Sequence, residues 1–153
     1  MKARSLEIRP ILASQWIDRA WPLLEAHRHE LTTNPDLMQL EPRRGLYEAL
    51  DARGVLLSLG LFDGDELVGY SVNIIDHNLH YGSVLVSQND LLFVHPDYRH
   101  GRDGLRLIKA TEDAARERGA HMVIWHAKPD TSFDALLPRL GYRVQDVMYS
   151  RVF

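Results

Sequence analysis

Residues 91–108 read LLFVHPDYRHGRDGLRLI. An apolar run, Leu91-Leu92-Phe93-Val94, stops at Pro96, a residue that does not continue a strand interior. A turn follows that holds Arg99, Gly101, Arg102 and Gly104. Beyond it the apolar residues return at helical spacing. Leu105, Ile108, Glu112 and Ala115 are three and four apart, as are Leu107, Thr111 and Ala114, and Gly119 closes the pattern. The stretch therefore predicts a buried strand, a basic glycine-containing turn and an amphipathic helix over 101–118. A helix start exposes unpaired N–H groups and a partial positive charge, which together favour a phosphate. Gly101 and Gly104 let the backbone approach an anion closely, and Arg99 and Arg102 add charge. Physics alone makes this turn a candidate pyrophosphate site.

Working outward, the alternation of Leu6 to Arg9 predicts a short strand ended by Pro10. A helix is expected from a cap at Ser14 to about Leu31, kinked or broken at Pro22. Another is expected from about Arg43 to Arg53, with Leu46, Tyr47 and Leu50 as its apolar face. Val55 to Phe62 and Glu66 to Ile75 predict two strands joined by a hairpin turn at Asp63-Gly64. Asp76 to Gly82 is a polar loop, and Val84 to Val94 is the strand that enters the decisive stretch. After Gly119 come a short strand, Met122 to Trp125, a short helix, Thr131 to Leu140, distorted by Pro138, and a last strand or hairpin, Tyr142 to Phe153. Such an order predicts an α+β domain with a mixed, mostly antiparallel sheet of about six to seven strands flanked by helices.

The bulk properties narrow the function classes. One domain over 1–153 is expected from the length. The chain has no cysteine, which excludes disulfides, thiolate metal sites and a cysteine nucleophile. Its net charge of −3 gives no global attraction to nucleic acid or anionic membrane. No apolar run approaches the ~20 residues of a membrane span, and MKARSLEIRP is not a signal peptide. A cytoplasmic location is expected.

The decisive stretch resembles motif A of the GNAT acetyltransferases. Val94-x-Pro96-x-Tyr98-Arg99, then glycines, then Gly104-Leu105-x-Leu107-Ile108 is similar to the family's Arg/Gln-x-x-Gly-x-Gly/Ala pattern after a strand. Leu67-Val68-Gly69-Tyr70 resembles the family's third strand, and Leu140-Gly141-Tyr142 its leucine-glycine-aromatic signature. One position departs. Where the family has glycine, this chain has Arg102, with Gly101 one residue early. Either the loop is re-threaded or Arg102 is accommodated and meets a phosphate; the second is preferred, and a positive φ at 102 would carry a steric cost. The resemblance implies a GNAT fold, acetyl-CoA as acyl donor and no metal. It implies that Phe93 and Val94 pair with the pantetheine arm like a missing strand. The pyrophosphate would lie on the N–H groups from Arg99 to Leu105, including Gly101, Arg102, Asp103 and Gly104.

The implied reaction is acetyl transfer to a primary amine by direct attack in a ternary complex. At pH 7 roughly one lysine-like amine in 2500 is neutral, so a positioned base is needed. Asp90, four residues before Val94, is the first candidate, against a strand-end carboxylate held in a salt bridge. Glu30 could line the acceptor pocket or be a solvated helix-end charge. The family's usual acid is a tyrosine at the position of Leu137 here. Tyr142 or Tyr149 could take its place, or water could protonate the thiolate. His126, at the end of the fifth strand, is a second acid/base candidate, against a hydrogen-bonded core histidine. His80 and Tyr81 in the loop are substrate-contact candidates, against a surface turn. The His-Tyr and His126-x-Lys128 elements are loosely similar to GNAT proteins of phages and prophages.

Eight histidines raise a metal site, but neither His27/His29 nor His77/His80 has a third ligand at a recognised spacing, so no metal is expected. The acceptor is expected to be a small-molecule or protein amine, with a homodimer left open. A non-catalytic CoA-binding GNAT domain acting through a partner is the alternative, supported by Leu137. A nucleic-acid binder using Arg99, Arg102, Arg106 and Lys109 ranks last, because the same residues suit a phosphate-bearing cofactor.

Overall fold

The computed structural model describes residues 6–153. Five strands form one sheet in the order β1-β2-β3-β4-β5. These are β1 (Glu7–Pro10), β2 (Leu56–Asp63), β3 (Glu66–His77), β4 (Leu85–Val94) and β5 (Met122–Ile124). The first four pair antiparallel, and β5 runs parallel to β4. The α+β architecture and the mixed sheet agree with the sequence expectation. The count differs, five among the described residues rather than six to seven. The shortfall lies in 142–153, which meets no ladder partner and so forms no strand.

The expected Ser14–Leu31 helix is divided into α1 (Ala13–Trp16) and α2 (Trp21–Leu31). Pro22 explains the division: it sits in the first turn of α2, where its missing N–H leaves no intrahelical bond unmade. Helix α3 (Arg44–Ala52) precedes β2, and α4 (Asp103–Glu117) follows the decisive turn. At the other end α5 (Ser132–Leu136) tightens into a 3-10 turn, Leu137–Leu140, at Pro138. No helix of the described residues is long and apolar enough to cross a membrane.

Both sheet faces are covered. Helix α4 buries Leu107 and Ala115 against Leu57, Leu59, Leu61 and Val68. On the opposite face α1–α3 pack on Leu56, Tyr70, Val72, Leu91 and Phe93. Gly69 is required where β3 meets β4, because a Cβ there would stand 3.0 Å from the Phe93 carbonyl oxygen.

A buried polar line runs under the α4 face. Thr111 Oγ1 donates to Ser71 Oγ at 2.9 Å, tying α4 to β3. Asn73 Nδ2 donates to Ser87 Oγ at 2.9 Å, and Asn89 Nδ2 donates to Asn73 Oδ1 at 2.8 Å and to the Leu91 carbonyl at 3.0 Å. The β3–β4 register slips here. Val72 faces Leu91 but Asn73 faces Asn89, so Asp90 is the extra residue of a bulge. Asn89 satisfies acceptors that the interrupted ladder leaves behind. Asn89→Leu should therefore cost about 1–3 kcal/mol by stranding buried groups, lowering the melting temperature by several degrees. An unchanged melting temperature would show that Asn89 does not pin the bulge.

Candidate active site

Strands β4 and β5 pair only through Val86–Gln88 and Met122–Ile124. One residue past Asn89 the chain bulges, and there β4 no longer pairs with β5, whose last ladder partners are Gln88 and Ile124. Asp90 therefore stands at the apex of an opening between them. Strand β4 carries it, α3 supplies Tyr47, and the segment leaving β5 supplies His126. The Tyr47 hydroxyl lies close enough to the Asp90 carboxylate to favour its ionised form as a hydrogen-bond donor would. His126 lies close enough for its charge to act on Asp90, and its Nε2 is 3.0 Å from Gln88 Nε2.

Asp90 is reached by solvent, yet the protein crowding its carboxyl dominates. Burial pushes its pKa above the ordinary carboxylate value, with His126 and the Tyr47 hydroxyl opposing. A base of raised pKa is a better proton acceptor, which suits a general base. Burial, then the Asp90 charge, push Tyr47 up to about 12. Its proton therefore stays in place to orient the carboxylate.

Beside this group lies a second cluster on the same sheet face. His27 Nδ1 and the Tyr70 hydroxyl are 2.7 Å apart, and the His27 ring stacks on Phe93 with centroids 4.8 Å apart. Burial pushes His27 down to about 4, so it is neutral at pH 7. Burial also pushes the Tyr70 hydroxyl up. Next to His27, Glu30 accepts two hydrogen bonds from Arg99, at 2.7 and 2.8 Å. That guanidinium holds the Glu30 carboxyl below its ordinary value. Arg99 Nε donates to the Val94 carbonyl at 2.7 Å, and the guanidinium stands 5.0 Å from the Phe93 ring centroid.

The start of α4 completes the geometry. Arg106 N–H donates to the Arg102 carbonyl, the first intrahelical bond, which leaves the N–H groups of Asp103, Gly104 and Leu105 without intrahelical acceptors. No side chain caps this end. Gly104 has nothing within 4 Å of where a Cβ would be, and Gly101 only the Asp103 carboxylate at 3.7 Å, so the turn keeps open space above the N–H groups. Arg102 adopts φ −98°, so no left-handed strain attends the arginine at this position. Asp103 would repel an anion, but its carboxylate is paired with Arg106. Open N–H groups, bare glycines and neutralised acid suit a pyrophosphate.

The structure thus gathers Asp90 with His126, and Phe93, Val94, Arg99, Gly101, Arg102, Asp103, Gly104 and Leu105 along one path. It places Glu30 on that path too, paired with Arg99. His80 and Tyr81 stand elsewhere, exposed at the tip of the β3–β4 hairpin, where Asn78 Oδ1 accepts both their N–H groups. Asp90 lies about 17 Å along the strand from Leu85. Tyr149 is 93% exposed on the 143–153 segment. Tyr142 is half-buried, and burial pushes its hydroxyl up. Sequence reasoning missed Tyr47, read as part of an apolar helix face. The signal was available: a tyrosine on a buried stripe needs a partner for its hydroxyl. No group of three or more histidine, aspartate or glutamate residues is placed to hold a metal among the described residues.

Comparison with known proteins places this geometry. A search of curated proteins found no match. Among solved structures, a GCN5-related N-acetyltransferase from Ralstonia eutropha JMP134 superposes with a TM-score of 0.78 at 19% identity, covering 97% of this chain and 99% of that one. A ribosomal-protein-alanine N-acetyltransferase from Brucella melitensis biovar Abortus 2308 gives 0.72 at 20% identity, covering 97% and 99%. An aminoglycoside acetyltransferase from an uncultured soil metagenomic sample gives 0.75 at 16% identity, covering 97% and 96%. At such identities these likenesses establish the fold. The acetyltransferase (GNAT) family model matches residues 14–142, nearly the whole of the described domain, and the chain belongs to that family.

Proposed function

We propose that this chain transfers the acetyl group of acetyl-CoA to a primary amine, by direct attack within a ternary complex. The observation that carries the reading is Asp90, a carboxylate of raised pKa on a bulge where β4 and β5 part. When bound, the thioester supplies an activated acyl group. The N–H groups of Asp103, Gly104 and Leu105, with Arg102, would hold its pyrophosphate. The free edge of β4 at Phe93 and Val94 would hold its pantetheine arm.

The chain's own residues then divide the work. Asp90 takes the proton from the incoming ammonium, directly or through one water, and Tyr47 fixes the carboxylate's orientation. His126 faces Asp90 across the opening and favours its ionised form. Leu137 occupies the position of the family's tyrosine acid, so the leaving thiolate takes its proton from water. Without cysteine the chain has no side chain to form a thioester acyl-enzyme, which leaves direct attack. No step calls for a metal. Two structural neighbours are named for amine acceptors, a ribosomal-protein alanine and aminoglycosides; a small-molecule or protein amine is the acceptor class proposed here.

Release of free thiol from acetyl-CoA, followed with a panel of amines, tests the proposal. The protein has no thiol of its own, so the readout has no protein background. Amine-dependent thiol release is expected. Cofactor binding without release on any amine would favour a non-catalytic CoA-binding domain, and absence of both would overturn the site.

A further inference from the structure

The sequence offers Arg99 as a phosphate contact, but the structure engages it elsewhere. Its backbone N–H donates to the Pro96 carbonyl at 3.2 Å, closing the turn Pro96–Tyr98. Its side chain ties three elements together. Nε donates to the carbonyl of Val94, the last residue of β4, at 2.7 Å. Nη1 and Nη2 donate to the two carboxylate oxygens of Glu30, in the last turn of α2, at 2.7 and 2.8 Å. The guanidinium also lies over the Phe93 ring. These two parallel bonds use the fork with which an arginine grips a phosphate.

Such a contact supplies position more than stability. The two side chains are 39% and 38% exposed, and an ion pair in solvent stabilises a fold little. Bidentate geometry nevertheless fixes both groups in distance and angle. What it fixes here is the end of α2. His27 stands one turn before Glu30 on the same helix face, where it stacks on Phe93 and meets the Tyr70 hydroxyl. Leu91, next in sequence to Asp90, joins the cluster of Leu23, Tyr70 and Phe93, and also the one that Tyr47 covers. The α2 wall and the Asp90 opening are therefore neighbours on one sheet face.

We propose that the Arg99 side chain is a positioning residue for the amine acceptor. Paired with Glu30, it sets the wall that α2 presents beside Asp90, and it does not hold the pyrophosphate. This rests on the acetyl-transfer reading above. Arg102 and the open N–H groups of Asp103, Gly104 and Leu105 then face the cofactor, while Arg99 serves the acceptor side. Two arginines of one turn have separate substrates, and the turn joins the two halves of the site.

Glu30→Ala, Arg99→Ala and Arg99→Lys separate this role from a phosphate contact. Each should raise the KM of the amine about tenfold, the scale of one charge-assisted contact. In each, kcat should hold, as loss of acceptor binding alone requires. Lysine should fail like alanine, because it keeps the charge but lacks the fork and Nε. The double variant Glu30→Ala, Arg99→Ala should be no worse than either single one, since all three lose the same contact. Acetyl-CoA binding, read without amine as the rise in melting temperature, should match the parent in every variant. If Arg99 held the pyrophosphate, Arg99→Ala would weaken acetyl-CoA, and Glu30→Ala, which frees the guanidinium, would tighten it. If Glu30 held the amine itself, Glu30→Ala would raise KM and Arg99→Ala would not. Either pattern overturns the proposal. A parent that turns over no amine sinks the acetyl-transfer reading, and hydrogen exchange then reads the strut by itself. Amides in the last turn of α2 should exchange faster in both Glu30→Ala and Arg99→Ala, and parent-like exchange would overturn the strut.

Discussion

Asp90→Asn should lower kcat/KM for the amine by about 10²–10⁴-fold, the usual worth of a positioned general base, while leaving acetyl-CoA binding intact. In the parent enzyme the acid limb of the pH profile should have its midpoint above the ordinary carboxylate value, because burial raises Asp90 and activity needs its ionised form. Tyr47→Phe should move that midpoint further up, since the lost hydroxyl favours the ionised carboxyl. Stability should move the other way from activity. A carboxyl whose folded pKa exceeds its unfolded value stabilises fully below the unfolded pKa, and that contribution is lost as pH rises through the folded value. At pH 7 the parent therefore carries a desolvated charge that the asparagine lacks. Asp90→Asn should melt no lower than the parent at pH 7, and any advantage should vanish below the ordinary carboxylate pKa. A variant as active as the parent would remove Asp90 from the mechanism.

Gly104→Asp should abolish the rise in melting temperature that acetyl-CoA gives the parent. A ligand at one hundred times its Kd stabilises by about 2.7 kcal/mol, roughly 5–10 °C for a domain of this size. Aspartate in the first turn of α4 suits the helix itself, whose N-terminus favours a negative charge. Gly104 has negative φ and open space for a Cβ, so the fold tolerates the side chain. The same carboxylate would stand where a pyrophosphate is bound. The variant should thus melt like the parent alone and ignore the cofactor. Reversing Arg99 is a poorer probe, because its pairs with Glu30 and Val94 would be broken along with any phosphate contact. A full ligand-induced shift in Gly104→Asp would place the cofactor elsewhere.

The elements whose formation depends on local pattern were legible in the sequence. The strand ending at Val94, the basic turn and the helix after it follow from period, proline and glycine. The hairpin was legible from its glycine, but one residue out of place: Asp63 pairs with Glu66 at the end of β2, so the turn is Gly64-Asp65, with Gly64 at φ +62° as such a turn requires. Asp90 could be placed on its strand, but the bulge could not, since a register slip depends on the facing strand. The pairing of Arg99 with Glu30 joins residues 69 positions apart and left no local mark. Tyr47 was hidden for the same reason: its helix face is apolar by period, and its hydroxyl partner lies on another element. The 142–153 segment reads as a strand by composition, yet it finds no ladder partner among the described residues and forms none.

The bulge at Asp90 also sets a rule of parity along β4. Before it, Ser87 and Asn89 turn toward the α4 face, where they bond Asn73. After it, Leu91 and Phe93 pack with the helices of the opposite face, although all four numbers are odd. One extra residue reverses the alternation for everything downstream. A strand built this way cannot gain or lose a residue elsewhere between Leu85 and Val94 without turning one half inside out, whereas loss of Asp90 itself would restore regular alternation and leave every other facing unchanged. Loops on either side are free to change length. A strand without the bulge must therefore be matched to this one with its single gap at Asp90, and a strand that has it with no gap across these ten positions.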